Sequence, residues 1–81
     1  MKKKEIMAAE DKSILREAMR ERNMKQAELA DRLGIRQPSL SGNMNRSRIG
    51  LDVFVKILQA MDYDVVVVDR SSGEEKWKVE I

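Results

Sequence analysis

Apolar side chains return at helical intervals through most of this chain, then switch to a two-residue alternation near its end. Over 10–22, Ile14, Leu15, Ala18 and Met19 fall at i, i+1, i+4 and i+5, one stripe of a helix, with Lys12, Arg16, Glu17, Arg20 and Glu21 off it. Asp11 or Ser13 is the candidate cap of its start, and Asn23 a left-handed stop. A second, short helix is expected from Gln26 to Leu33, with Ala27, Leu29, Ala30 and Leu33 as its apolar set. Gly34 follows where a helix end needs a residue tolerant of positive φ, and Ile35 is expected to re-enter the core.

The third helix starts at Gln37-Pro38 and is expected over 37–45. Proline has no N–H to lose in a first turn and its φ is already helical. It also steers the residue before it away from the α region, which makes Gln37 the expected N-cap. Leu40 and Met44 are its i, i+4 apolar pair. Gly42 at mid-helix costs about 1 kcal/mol relative to alanine, so either this helix is weak or something must come close there. After a basic loop over 45–50, Leu51, Phe54, Val55, Leu58 and Met61 mark a fourth helix, with Asp52 in its first turn suiting the helix dipole.

From Tyr63 the residues become β-branched and the run too short for a helix. Ser71-Ser72-Gly73 reads as a three-residue hairpin loop, and Lys76 to Ile81 alternates strictly. In that register Tyr63, Val65 and Val67 share a face with Trp77, Val79 and Ile81. Val66 and Val68 fall on the other face, opposite lysines, and need cover. The expected fold is mainly α: a four-helix core at 10–62 and an antiparallel hairpin at 63–81, behind a flexible basic segment at 1–9. That segment is either a solvated tail or an arm touching phosphates.

Length and composition narrow the chemistry. An 81-residue chain buries only about 60% of its unfolded surface, so its core is thin and a second chain would help. With no Cys and no His, disulfides, thiolate zinc sites and histidine acid–base catalysis are excluded. No carboxylates cluster on a plausible site, so neither an enzyme nor a metal or cofactor is expected. Cysteine usage is consistent with a cytoplasmic protein, and no apolar run approaches the roughly 20 residues that span a bilayer. The net charge is only +2, but residues 1–50 carry 12 Lys/Arg against 7 Asp/Glu, and residues 51–81 carry 4 against 7. No acid occurs between Asp31 and Asp52, where Arg32, Arg36, Arg46 and Arg48 fall. Such a basic middle points to a polyanion facing one side of the domain.

Two short helices joined by a tight glycine turn, the second opening with polar residues, describe a helix-turn-helix. In that unit the first helix crosses the DNA backbone and the start of the second enters the major groove. Ala30, Gly34, Ile35 and Leu40 can face inward, which leaves Gln26, Gln37, Ser39, Ser41 and Asn43 to point out. The stretch "MKQAELADRLGIRQPSLS" resembles the helix-turn-helix of the phage repressor and Cro family, the xenobiotic-response-element type of bacterial regulator. Gln26, Ala30, Leu33-Gly34-Ile35, Gln37 and Leu40 carry the likeness, which extends through Asn45 and "GLDVFVKILQAM". Three departures stand out. Asn43 occupies a position usually bulky and apolar, with Met44 as a substitute filler. Met44-Asn45-Arg46 replaces a common Glu-Asn-Gly. A strand pair takes the place of the fifth helix, as in Cro-like members that use strands for dimer contacts and in several antitoxins.

What the resemblance and the contact chemistry imply is a sequence-specific DNA-binding regulator, most simply a repressor, binding double-stranded operator DNA as a homodimer. Gln37 is the first candidate for base contact, since a glutamine amide can bond adenine N6 and N7 together. Ser39, Ser41 and Asn43 follow. Gln26 at a helix N-terminus, with Arg36, Arg46 and Arg48, are the candidate phosphate contacts. Val66, Val68, Trp77 and Val79 are the candidate dimer interface, because open strand edges need a partner. The alternatives are an antitoxin that represses its own operon while its C-terminal part binds a toxin, and a protein–protein adaptor using the same fold.

Overall fold

The computed structural model describes residues 8–81 as four helices followed by a two-stranded antiparallel sheet. They are α1 (Asp11–Glu21), α2 (Gln26–Leu33), α3 (Gln37–Met44), α4 (Leu51–Ala60), β1 (Val66–Val68) and β2 (Glu75–Lys78). The segment expected at 1–9 lies outside the described residues except for Ala8 and Ala9, both exposed. α2 packs against α3 and α4, and α1 packs against α4. Leu15, Ala18, Met24, Leu29, Ala30, Leu40, Met44, Ile57, Leu58 and Met61 form the buried core, with Tyr63 and Val65 packed at its margin.

α1 buries the expected stripe, but neither Asp11 nor Ser13 caps it. The first helical bond runs from Ile14 N–H to the Glu10 carbonyl at 2.9 Å, so Glu10 takes the cap position without a side-chain bond. Asp11 is already inside the helix, where its carboxylate accepts only the neighbouring N–H of Lys12 at 2.7 Å. Asn23 takes the expected left-handed conformation, φ 51°, and Met24 N–H then bonds the Met19 carbonyl at 2.9 Å. That turn drives Met24 into the core, a loop residue that helical periodicity does not flag.

α2 ends as its glycine predicts, with Gly34 at φ 70°. Ile35 N–H bonds the Ala30 carbonyl at 3.0 Å, which closes the turn. The Ile35 side chain does not re-enter the core, however, and keeps 38% of its surface exposed. Satisfying its N–H from Ala30 leaves it at the mouth of a groove between α3 and α4, beside Leu33, Leu40 and Val53.

The α3 cap also differs from expectation. Arg36, with extended dihedrals (φ −76°, ψ 147°), is the N-cap, and its carbonyl accepts from Leu40 N–H at 3.1 Å. Gln37 is the first helical residue and Pro38 the second. The bias against α conformation before proline is a preference, and the turn closed by Leu40 N–H on the Arg36 carbonyl holds Gln37 inside the helix despite it. Leu40 is fully buried, and truncating such a leucine to alanine costs about 2–5 kcal/mol.

In α4 the buried set is Val55, Ile57 and Leu58, joined by Met61 just past its end, whereas Leu51 is 60% exposed. Leu51 sits in the exposed first turn, and Ile57 is buried where α4 packs against α1 and α2. The α4 C-terminus receives two arginines. Arg22 donates to the carbonyls of Met61 (3.0 Å) and Asp62 (3.2 Å) and Arg32 to that of Ala60 (3.2 Å). These carbonyls lack intrahelical partners, and cations suit the negative end of the helix dipole.

The hairpin pairs Val66 with Lys78 and Val67 with Trp77, as read from the alternation. Beyond that the register slips by one, so Val68 faces Glu75 rather than a lysine. The loop is a residue longer than expected. Gly73 N–H bonds the Asp69 carbonyl at 2.7 Å and Asp69 N–H bonds that of Glu74 at 2.8 Å, enclosing Arg70 to Gly73. Asp69 also accepts the N–H groups of Ser71 and Ser72, and Gly73 supplies the left-handed residue, φ 76°. An aspartate bonding the backbone ahead of it makes a turn of its own, and that lengthens the loop and moves the register.

Candidate nucleic-acid interface

α2, the Gly34 turn and α3 form the helix-turn-helix, and α3 is the element with most of one flank free. Its inward pair is Leu40 and Met44, so the helical repeat turns Pro38, Ser39 and Gly42 most directly outward. Pro38 and Ser39 are exposed, as are Arg36 and Gln37. Gln37 makes no side-chain hydrogen bond among the described residues and, no longer a cap, has its amide free. Ser41 and Asn43, also candidates for base contact, are half-buried. Ser41 Oγ accepts the Asn45 amide at 3.3 Å. Asn43 lines the apolar groove between α3 and α4 with Leu40, Val53 and Ile57. Met44, next to it in sequence, is in the core.

The cations divide into two groups that composition cannot separate. Arg20, Arg22 and Arg32 are used within the fold. Arg20 meets Glu17 at 3.2 Å, while Arg32 meets Glu28 at 3.6 Å and bonds the end of α4. Arg32 therefore leaves the basic cluster it belongs to in sequence. Arg36, Arg46 and Arg48 are exposed and have no ion pair among the described residues. One precedes α3 and two follow it, while α3 itself carries no charge. Gln26, half-buried, is the first residue of α2, where N–H groups without helical partners point outward.

Two further cations join this surface. Lys25 is the N-cap residue of α2 next to Gln26, and Lys56 lines the groove beside Asn43. Both are exposed and unpaired among the described residues. The signal for Lys56 was its place off the apolar stripe of α4, but nothing in sequence brings that helix alongside Asn43.

The dimer candidates sit on two faces of the hairpin. Strand alternation puts Val66 and Val68 on one and Trp77 and Val79 on the other. Val66 is 39% and Trp77 66% exposed.

A family model described as helix-turn-helix matches residues 15–68, two thirds of the chain. The chain belongs to the Cro/repressor-like, xenobiotic-response-element family of helix-turn-helix regulators. It is a DNA-binding regulator of that type. Comparison with curated proteins and with solved structures gave no match. The family match covers all four helix centres and runs into β1, so the hairpin's second strand lies beyond the matched region. No helix among the described residues is long and apolar enough to cross a membrane.

Proposed function

We propose that this regulator is a sequence-specific repressor that occupies operator DNA as a homodimer, with α3 in the major groove. What carries the reading is one arrangement: Arg36, Arg46 and Arg48, all unpaired among the described residues, bracket an uncharged helix whose first residue is a free glutamine. The arginines supply affinity for phosphates of any sequence, and Gln37 supplies base preference. Gln37 reads from the tip of α3, Ser39 lies on the outward face with Pro38 and Gly42, and Ser41 and Asn43 contribute from its flanks. Gln26 clamps a phosphate at the α2 N-terminus. One recognition helix reads few base pairs, so two half-sites about 34–36 Å apart on a pseudo-palindrome are expected.

The deciding experiment is selection of bound sequences from a random duplex pool. Enrichment of a palindrome supports the reading, and an unenriched pool sinks it. A second reading draws on Trp77 and Val67, both exposed on one hairpin face. In that reading the hairpin binds another protein, as an antitoxin binds its toxin or an adaptor its client. Pull-down of a distinct partner lost on Trp77→Ala, with DNA binding kept, would favour it.

A further inference from the structure

α2 packs against both α3 and α4, whereas α3 and α4 do not pack on each other to a comparable extent. The gap left between them is a groove of about 250 Å³. Leu40 and Ile57 are its buried floor, and Leu33, Val53 and Ile35 are its sides, with Ile35 exposed at the mouth. Apolar surface kept wet in this way favours an apolar occupant.

The polar lining residues say what else that occupant carries. They are Asn43 and Lys56, and no acid lines the groove among the described residues. Among those residues Lys56 has no ion pair and the Asn43 side chain no hydrogen bond. An ammonium and an amide N–H lining one groove offer donors to a shared acceptor, and hydrogen bonds between ionised partners are the strong ones. The groove therefore selects an apolar body with a single anionic end. Its volume lies below the roughly 300–1,000 Å³ of drug-sized pockets, which keeps that body small. The sign of charge is local: a second groove, between α1, α4 and Tyr63, is rimmed by Glu17, Glu21 and Asp64 and suits a cation.

We infer that the groove between α3 and α4 binds a small apolar monocarboxylate, and that the bound anion releases DNA. The body lies against Ile35, Val53 and Ile57, and the carboxylate meets Lys56 and Asn43. The site stands on the groove alone. The release rests on the DNA reading above, in which Asn43 flanks the face that meets bases and Lys56 joins its cations. A carboxylate there occupies both side chains and sets a negative charge where phosphates approach. The coupling is reciprocal, so bound duplex weakens carboxylate binding by the same factor.

Octanoate is the probe, titrated into the full chain without DNA while isoleucine and valine methyl groups are followed by NMR. Ile35, Val53 and Ile57 should shift saturably, and Ile14 in the acidic groove should not. Octylammonium at the same concentrations should leave the first three unmoved. Lys56→Glu, at an exposed position, should weaken octanoate roughly tenfold, the scale of one hydrogen bond to a charged group, and should admit octylammonium instead. Equal response to both amphiphiles overturns the choice of an anion. Octanoate shifts that miss Ile35, Val53 and Ile57, or none at all, overturn the site. Release is read separately, on duplex enriched from the random pool. Octanoate should raise the Kd of wild type by roughly fivefold or more over sodium chloride at equal concentration, the control for salt. Lys56→Glu should lose that difference. Octanoate that binds the groove without weakening DNA overturns the release and leaves the site. A chain that enriches no duplex sinks the DNA reading and the release with it, while the methyl titration still decides the site.

Discussion

Gln37 has its amide unspent because the cap position belongs to Arg36. That frees it for bidentate contact with an adenine, and Gln37→Ala should relax base preference at one position in each half-site at a cost of about 1–3 kcal/mol. Competition binding against single-base operator variants checks this. Arg48→Ala should weaken binding to all sequences alike and lower the salt dependence, leaving preference intact. Arg22→Ala should do neither; it removes the bonds to Met61 and Asp62 and should cost about 1 kcal/mol of stability in urea melts. Tyr63 offers a spectroscopic check on the same corner. Its hydroxyl donates to Glu21, which holds the phenol above its ordinary value of 10.0; burial adds to the rise and the Arg22 charge, 4.1 Å from the ring centre, opposes it. A raised folded value means the contribution to stability is fully present below pH 10.0 and is lost as pH climbs through the folded value. Ultraviolet titration of the single tyrosine should give a midpoint above 10.0, and Glu21→Gln should bring it down. Residue identity made Gln37, Arg36, Arg46 and Arg48 candidates. It could not separate them from Arg22 and Arg32, because an arginine's employment depends on which carbonyls the fold leaves bare nearby.

α3 is the least self-sufficient of the helices: eight residues, with proline in its first turn and glycine at its middle. Gly42 is not there to relieve crowding in this chain, since a Cβ built on it meets nothing within 4 Å. With open space around it and ordinary helical φ, Gly42→Ala should stabilise the fold by about 1 kcal/mol, a rise of roughly 4–8 °C in Tm for a domain of this size. If the duplex backbone or a base edge approaches the bare face formed by Pro38, Ser39 and Gly42, the same substitution should weaken DNA binding. Calorimetry and a binding isotherm on one variant separate the two effects; a tighter or unchanged isotherm would remove the close-approach explanation. Helix spans were readable nearly to the residue because glycine, proline and asparagine punctuate them. Cap identity and hairpin register were not. Both turn on single hydrogen bonds, Leu40 N–H to Arg36 and the carboxylate of Asp69 to Ser71 and Ser72, and periodicity carries no information about such bonds.

The molecule is elongated, 42 × 24 × 21 Å, with unpaired cations around α3 and a two-stranded hairpin at the end of the described chain. Duplex binding through that cationic surface should fall steeply with salt, log affinity against log salt having a slope of roughly −0.9 per phosphate neutralised. A flat salt profile would mean that Arg36, Arg46 and Arg48 do not meet phosphates. The helix-turn-helix and the appended strands followed from local rules: helical spacing, a glycine where φ must be positive, and β-branched alternation. These rest on backbone conformation and on which side chains avoid water, and both are written residue by residue. Which arginines stay free, which face of α3 is bare, why Asn43 lies over a groove and Ile35 does not enter the core, came from packing. Those outcomes depend on α4 arriving beside α2 and α3 from far along the chain. Only when its C-terminal carbonyls stand next to Arg22 and Arg32 does the shared positive charge of the sequence divide into arginines bonded within the fold and arginines left unpaired among the described residues.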